Sequence, residues 1–200
     1  MSRPLVPGLL AESTTDVRFL GHVVHRQLRA STEKGSRHVV DVQRTETGDC
    51  WTIKDAGRVG RAVLELAADC HLICVHNDHN ERGKAEAVVK LLADRGLTTP
   101  VIPLVPVRET EAWLLADRAV WAGLRGSDHG RVPARPRDVE KLQDPKPVLD
   151  AVRPQSSRRH VADYFDYIGQ NIDLEALAQV PAYAAWVAET EEALKGLGYL

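Results

Sequence analysis

The sequence predicts an α/β fold: a largely parallel four-stranded sheet with helices on both faces, followed by a helical C-terminal extension. Three observations lead there. Short β-like apolar runs alternate with amphipathic stretches through the first half, in the order β-α-β-α-β-α-β, which favours parallel strands joined by helical crossovers. His71 to His76 (HLICVH) is an almost unbroken apolar run, the pattern of a strand covered on both sides. Beyond residue 117 the β pattern stops and helical spacing takes over. At 200 residues, with 44% hydrophobic and 27% charged side chains, the chain can build one substantial core. Aromatic residues make up only 5%, so that core must rest on Leu, Val, Ile and Ala. The expected organisation is an α/β core over residues 1–117, with a basic loop and helical extension over 118–200 packed on it as one domain.

Taken in order, Leu5 to Leu10 reads as the first strand, and Thr15 to Leu28 as a helix with Val17, Leu20, Val24 and Leu28 at helical spacing. His38 to Gln43 is a second, Val-rich strand. Gly57 to Ala68 places Val59, Val63, Leu64 and Ala67 on one helical face. After the third strand at His71–His76, Lys84 to Arg95 forms a helix that Gly96 ends. Thr99 to Val107 is the fourth strand; Pro100, Pro103 and Pro106 make it irregular or an edge. Glu109 to Ala116 turns helical, and a Gly/Pro/Arg-rich loop follows from Gly123 to Pro136. Helices are predicted at Pro147–Val152, Ser156–Ile168, Asp173–Leu177 and Pro181–Leu197.

Bulk properties narrow the setting. No apolar run reaches the roughly 18–20 residues that span a bilayer, and the N-terminus is a poor signal peptide, so a cytoplasmic protein without a membrane partner is expected. Cys50, Cys70 and Cys74 are an odd set without C-x-x-C spacing, which reads as free thiols in a reducing compartment. Net charge is −2, but it is unevenly spread: residues 118–160 carry ten Lys/Arg against five Asp/Glu, and 161–200 carry one against seven. A basic middle segment suits a phosphate-facing surface; opposite faces of an ordinary globular protein give the same count.

In an open parallel sheet, ligands bind beyond the carboxyl ends of the strands. Glu12-Ser13-Thr14-Thr15-Asp16 follows the first strand, and His76-Asn77-Asp78-His79-Asn80 follows the third. If those strands are neighbours, Glu12 and Asp78 converge, and such oxygens suit a hard divalent cation that shares its coordination with substrate phosphate. Bland readings stand beside each residue. Ser13 and Asp16 can be a helix cap, and Asp78 with Asn80 an Asx turn. His76 and His79 lack the second Cys/His cluster of a zinc site, and fit outer hydrogen bonding or structural roles better. Arg108, Glu109 and Glu111 follow the fourth strand at the same sheet edge; Thr110 is positioned to cap the helix, and Glu111 is either a further site acid or an acid favoured by the helix dipole.

Three segments together carry a resemblance. Ala11-Glu-Ser-Thr-Thr-Asp16, Val75-His-Asn-Asp-His-Asn80 and Pro106-Val-Arg-Glu-Thr-Glu-Ala-Trp-Leu-Leu-Ala-Asp117, with Asp144-Pro-Lys146 beyond them, look like the Toprim-related family labelled domain of unknown function 4276. The resemblance covers roughly residues 5–199, and Glu111-Ala-Trp-Leu-Leu-Ala-Asp117 is its most specific element. It implies a Toprim-like fold, similar to the nucleases of the overcoming-lysogenization type, around Mg²⁺ or Mn²⁺. Carried over, Glu12 would be the general acid/base or metal-polarising carboxylate, Asp78 the principal metal ligand, Asn80 the second D-x-D position, and Glu111 a further catalytic acid. Asp16, His76, His79 and Glu109 would be secondary members of the site. Arg108, Arg125, Arg131, Arg135, Arg137, Lys141 and Lys146 would contact nucleic-acid phosphates. The implied function is a Mg²⁺-dependent nuclease acting on DNA or RNA in bacterial anti-phage defence, with an ATPase partner and a homodimer as expected associations. Asn80 is a neutral amide where an acid is usual, which favours the rival reading: a non-catalytic nucleic-acid-binding or ATPase-docking subunit. A hydrolase of nucleotide phosphate esters is a third reading.

Overall fold

A computed structural model of the chain describes residues 2–78, 81–155 and 160–200. Its strands are β1 (Arg3–Leu5), β2 (Pro7–Leu10), β3 (Val40–Val42), β4 (Glu46–Thr47), β5 (Leu72–His76) and β6 (Val101–Leu104). Its helices are α1 (Thr14–Gly35), α2 (Ala56–Leu66), α3 (Arg82–Asp94), α4 (Thr110–Leu114), α5 (Arg118–Ala122), α6 (Pro145–Val152), α7 (Val161–Asn171), α8 (Leu174–Leu177) and α9 (Pro181–Gly196). The fold is α/β with parallel sheets: four strands in the order β4-β2-β5-β6, and a separate parallel pair β1-β3.

The predicted first strand is broken at Val6, whose N–H donates to the His71 ring at 3.0 Å and whose carbonyl accepts the His71 N–H at 2.8 Å. The break has a counterpart beside it. Val40–Val42 pairs with β1, and the ladder beside β2 is continued by Glu46–Thr47, not by the predicted His38–Gln43 run. An exposed Glu-Thr pair carries no apolar signal, so the sequence pattern missed it. β6 is the edge strand its prolines require.

Residues alternate across the four-stranded sheet as the strand period dictates. Leu9, Leu72, Cys74, Ile102 and Leu104 join the core beneath α1, while Leu10, Ile73 and Val75 pack with Val59 and Val63 of α2 and Ala85 and Val88 of α3. Helices therefore lie on both faces. α1 leaves β2 on one side, and α2 enters β5 from the other. The point between β2 and β5, where the winding changes side, is where such sheets open a crevice at their carboxyl ends.

The C-terminal extension shares the core beneath α1, from Leu5 to Tyr199. α7 lies so close to α1 that a Cβ on Gly169 would stand 2.8 Å from the Phe19 carbonyl oxygen. Trp113 of α4 meets Tyr183 of α9 edge-on, with ring centroids 5.3 Å apart. α1 runs a further turn or more past the predicted Leu28, with Ser31 and Thr32 buried. α5 was not predicted: Asp117 caps it, accepting the Ala119 and Val120 N–H groups at 2.8 and 3.3 Å. The predicted loop at 123–136 contains a 3₁₀ turn at His129–Arg131, and a second at Pro136–Lys141 follows it. The predicted Ser156–Ile168 helix is observed as Val161–Asn171; Ser156 and Ser157 lie outside the described residues. The three cysteines are free thiols, with Cys70 and Cys74 buried and Cys50 partly exposed. Among the described residues no helix is long and apolar enough to cross a membrane.

Candidate metal centre

The start of α1 is built by a short polar relay. Ser13 is the cap: its Oγ accepts the Asp16 N–H at 3.2 Å and donates to Asp16 Oδ2 at 2.6 Å. The cap reading of Asp16 is thus correct, yet it does not exhaust the residue, which is buried and faces the end of β5. β2 and β5 are paired in register up to Leu10 opposite Val75, so the residues that follow them leave the sheet side by side. Glu12 Oε2 accepts the Asp78 N–H at 3.2 Å, and Glu12 Oε1 lies 3.4 Å from the Ile53 N–H in the loop between β4 and α2. The segments around positions 12 and 78 meet at one sheet edge.

Asp78 is held from a third direction. Its Oδ1 accepts the Thr110 N–H at 3.0 Å, at the start of α4, and stands 3.2 Å from His76 Nε2. Thr110 Oγ1 lies 2.9 Å from the same imidazole nitrogen. Thr110 therefore does not cap its own helix, as the sequence suggested; Glu109 occupies the cap position without a side-chain bond, and Asp78 takes up the free N–H from outside. Asp16, His76 and Asp78 each bring one potential ligand atom within 4.8 Å of the others, so this buried Asp–His–Asp cluster could hold a metal ion. The donor set is compatible with that: two carboxylates suit a hard cation, and an imidazole bonded to one of them is a common orienting partner. Two buried polar atoms of the same strand end, His76 Nδ1 and Asn77 Oδ1, have no hydrogen-bond partner among the described residues. His76 turns Nε2 toward Asp78 and Thr110, so the unpartnered Nδ1 lies on the other side of the ring.

The electrostatics follow from the crowding of acids. Burial alone would push the His76 imidazole down, but its bond to Asp78 and the fields of Asp16, Asp78 and Glu12 outweigh it and hold the pKa above its ordinary value. Burial pushes the Glu111 carboxyl up to about 7; Asp78 and Glu109 add to the rise, and Lys146 opposes it. Lys146, from the start of α6, donates to Glu109 at 2.6 Å and lies 3.9 Å from Glu111. Its own affinity for a proton is raised despite partial burial, because of the Glu109 bond and the nearby Glu111, Glu109 and Asp78.

The structure thus gathers Glu12, Asp16, His76, Asp78, Glu109 and Glu111 at one place, with Glu12 reaching Asp78 through the main chain and standing apart from the three-residue cluster. His79 and Asn80 lie outside the described residues. Lys146, expected on a phosphate-facing loop, belongs to the acidic centre itself. Arg131 pairs with Asp128, and Arg135 and Lys141 both pair with Asp138, so part of the basic segment is matched by its own acids. The Arg131–Asp128 pair is exposed and costs little to exchange for phosphate, while Asp138 is half-buried beneath its two exposed cations. Arg108, Arg125 and Arg137 are exposed. Sequence reasoning missed Asn77 and the role of Thr110; a buried threonine next to an acid-rich turn leaves no periodic trace. The final Asp of the Glu111–Asp117 stretch is structural: besides capping α5, Asp117 accepts the Asp173 N–H at 3.0 Å and ties α5 to the start of α8. Compared with family models, curated proteins and solved structures, the chain matches none of them.

Proposed function

We propose that this protein is a Toprim-type phosphodiesterase that uses Mg²⁺ or Mn²⁺ to cleave DNA or RNA, working in anti-phage defence with an ATPase partner. The observation that carries the reading is the Asp16–His76–Asp78 cluster at the β2/β5 switch point, to which Glu12 is joined by a bond from the Asp78 main chain to its carboxylate. Asp16 and Asp78 would hold the cation with oxygens a hard ion accepts, and Glu12 beside them would polarise a bound water. A cation bound there would polarise water and offset charge on the phosphoryl group. His76 and Thr110 fix the Asp78 carboxylate in place. Glu111, whose carboxyl ionises at about 7, is suited to hold a proton at working pH and pass it to a leaving oxygen. Lys146 can exchange Glu109 for a substrate phosphate.

The test is cleavage of plasmid, single-stranded DNA and tRNA by the purified protein, with and without Mg²⁺ or Mn²⁺. Activity should require the metal and be lost in Glu12→Ala and Asp78→Ala. Cleavage undiminished in both variants, or none on any substrate, would refute the nuclease. Asn80 supports a second reading as a non-catalytic nucleic-acid-binding or ATPase-docking subunit. Mn²⁺ titration separates the two, since that subunit has no saturable metal site that depends on Asp78.

A further inference from the structure

Two largely buried acids stand beside the metal centre, and a lysine from another element reaches both. Glu109 and Glu111 flank Thr110 at the start of α4, with side chains 12% and 14% exposed. Thr110, between them, holds Asp78 through its main-chain N–H at 3.0 Å. Lys146 Nζ donates to Glu109 Oε1 at 2.6 Å and stands 3.9 Å from Glu111 Oε1. We propose that the Lys146 ammonium occupies the place of a second metal ion, so that the centre binds one divalent cation and takes its other positive charge from the lysine. The proposal rests on the metal reading above and adds how many ions bind.

Local rules alone would not put a cation at this position. α6 begins at Pro145, and a helix N-terminus carries partial positive charge, so a basic side chain in the first turn is at the wrong end. The acids of α4 across the gap offset that. The backbone that carries the lysine is firmly held: Asp144 caps α6 by accepting the Lys146 N–H at 3.2 Å, and Pro145 and Pro147 restrict the chain on either side.

Phosphodiester chemistry with two ions needs acids that flank both cations close together. Asp78 is placed to serve both sides. It belongs to the cluster with Asp16 and His76, and it is bonded to Thr110, which lies between the two glutamates. Glu109 and Glu111 offer the carboxylate oxygens a second hard cation would take. Buried acids need a counter-charge in every state of the protein, and a tethered ammonium is present whether or not metal is bound. An ammonium has three donors, so one bond to Glu109 leaves others for phosphate oxygens.

The experiment counts bound Mn²⁺ on the full chain without substrate, by electron paramagnetic resonance of the free ion. The unsubstituted protein and Lys146→Arg should each bind one ion per chain. Lys146→Met should bind two, and the second should disappear when Glu109→Gln is added. Lys146 is 55% exposed, so its replacement does not open the core. Thermal unfolding supplies an independent readout. Without metal, Lys146→Met should unfold at a lower temperature, because Glu109 loses its lysine. Mn²⁺ at about a hundred times its dissociation constant should then raise the midpoint of this variant by about 5–10 °C more than that of the unsubstituted protein. Two ions in the unsubstituted protein, one ion in both it and Lys146→Met, or a second ion that survives Glu109→Gln would overturn the proposal and leave the metal reading standing. No bound ion in any of these proteins would instead sink the metal reading itself, and this proposal with it.

Discussion

Replacing Glu111 by Gln should make the protein more stable above neutral pH. The side chain is only 14% exposed, and its carboxyl is pushed from 4.5 up to about 7, mainly by burial. A folded-state pKa above the unfolded one means the native protein binds the extra proton. The associated stability is fully present below pH 4.5 and is lost as pH rises through about 7. At 1.36 kcal/mol per tenfold change in proton affinity, that displacement is worth about 3 kcal/mol. Gln keeps the shape and cannot ionise. Its cost is a weakened contact with Lys146 at 3.9 Å, which is small because Lys146 keeps Glu109 at 2.6 Å. Urea unfolding of both proteins at pH 4.5, 6 and 8 gives the comparison. The two should be similar at pH 4.5, and the variant should be ahead by about 2–3 kcal/mol at pH 8, from the same proton-affinity argument. Subtracting one protein from the other removes the other acids that titrate over the same range. Parallel pH profiles, or a variant less stable at pH 8, would refute the account of Glu111 as a carboxyl kept protonated by its surroundings.

Two further outcomes test the architecture around the centre. Asp117→Ala should destabilise the fold by about 3 kcal/mol in chemical denaturation, because a buried carboxylate that satisfies three main-chain N–H groups is removed; Asp117→Asn should recover part of the loss. Gly169→Ala should cost about 1–3 kcal/mol, read as a lower midpoint at constant m-value, because the new Cβ would sit 2.8 Å from the Phe19 carbonyl and force α7 away from α1.

The parts of the fold that were legible are those where periodicity and burial coincide. His71–His76 is buried on both faces and reads as a continuous apolar run; the helices α2, α3 and α9 carry their stripes openly. The broken edge was not legible. β4 is two exposed polar residues, and the gap at Val6 depends on an imidazole sixty-five residues away. No local window contains both partners. The site divides the same way. Glu12 and Asp78 could be placed at strand ends because strand ends follow from strands, and their meeting followed once β2 and β5 were neighbours. Thr110 and Lys146 enter through loops whose paths no spacing rule fixes, so their place at the centre emerges only in three dimensions.

The stretch from Glu111 to Asp117 bears on how a motif should be weighed. It is the most distinctive run in the sequence, and a distinctive run invites a catalytic interpretation. Most of it is architecture: Trp113 packs into the core against Tyr183, Leu114 and Leu115 are fully buried, and Asp117 holds two helices by main-chain bonds. Only its first residue, Glu111, joins the acids at the sheet edge. The two roles are connected. Burial is the main cause of the raised Glu111 pKa, and α5 closes over this region, with Trp121 Nε1 donating to the Leu114 carbonyl at the end of α4 at 2.7 Å. Loosening that support, as Asp117→Ala would, should therefore let water reach Glu111 and draw its pKa back toward 4.5, even though position 117 carries no part of the chemistry.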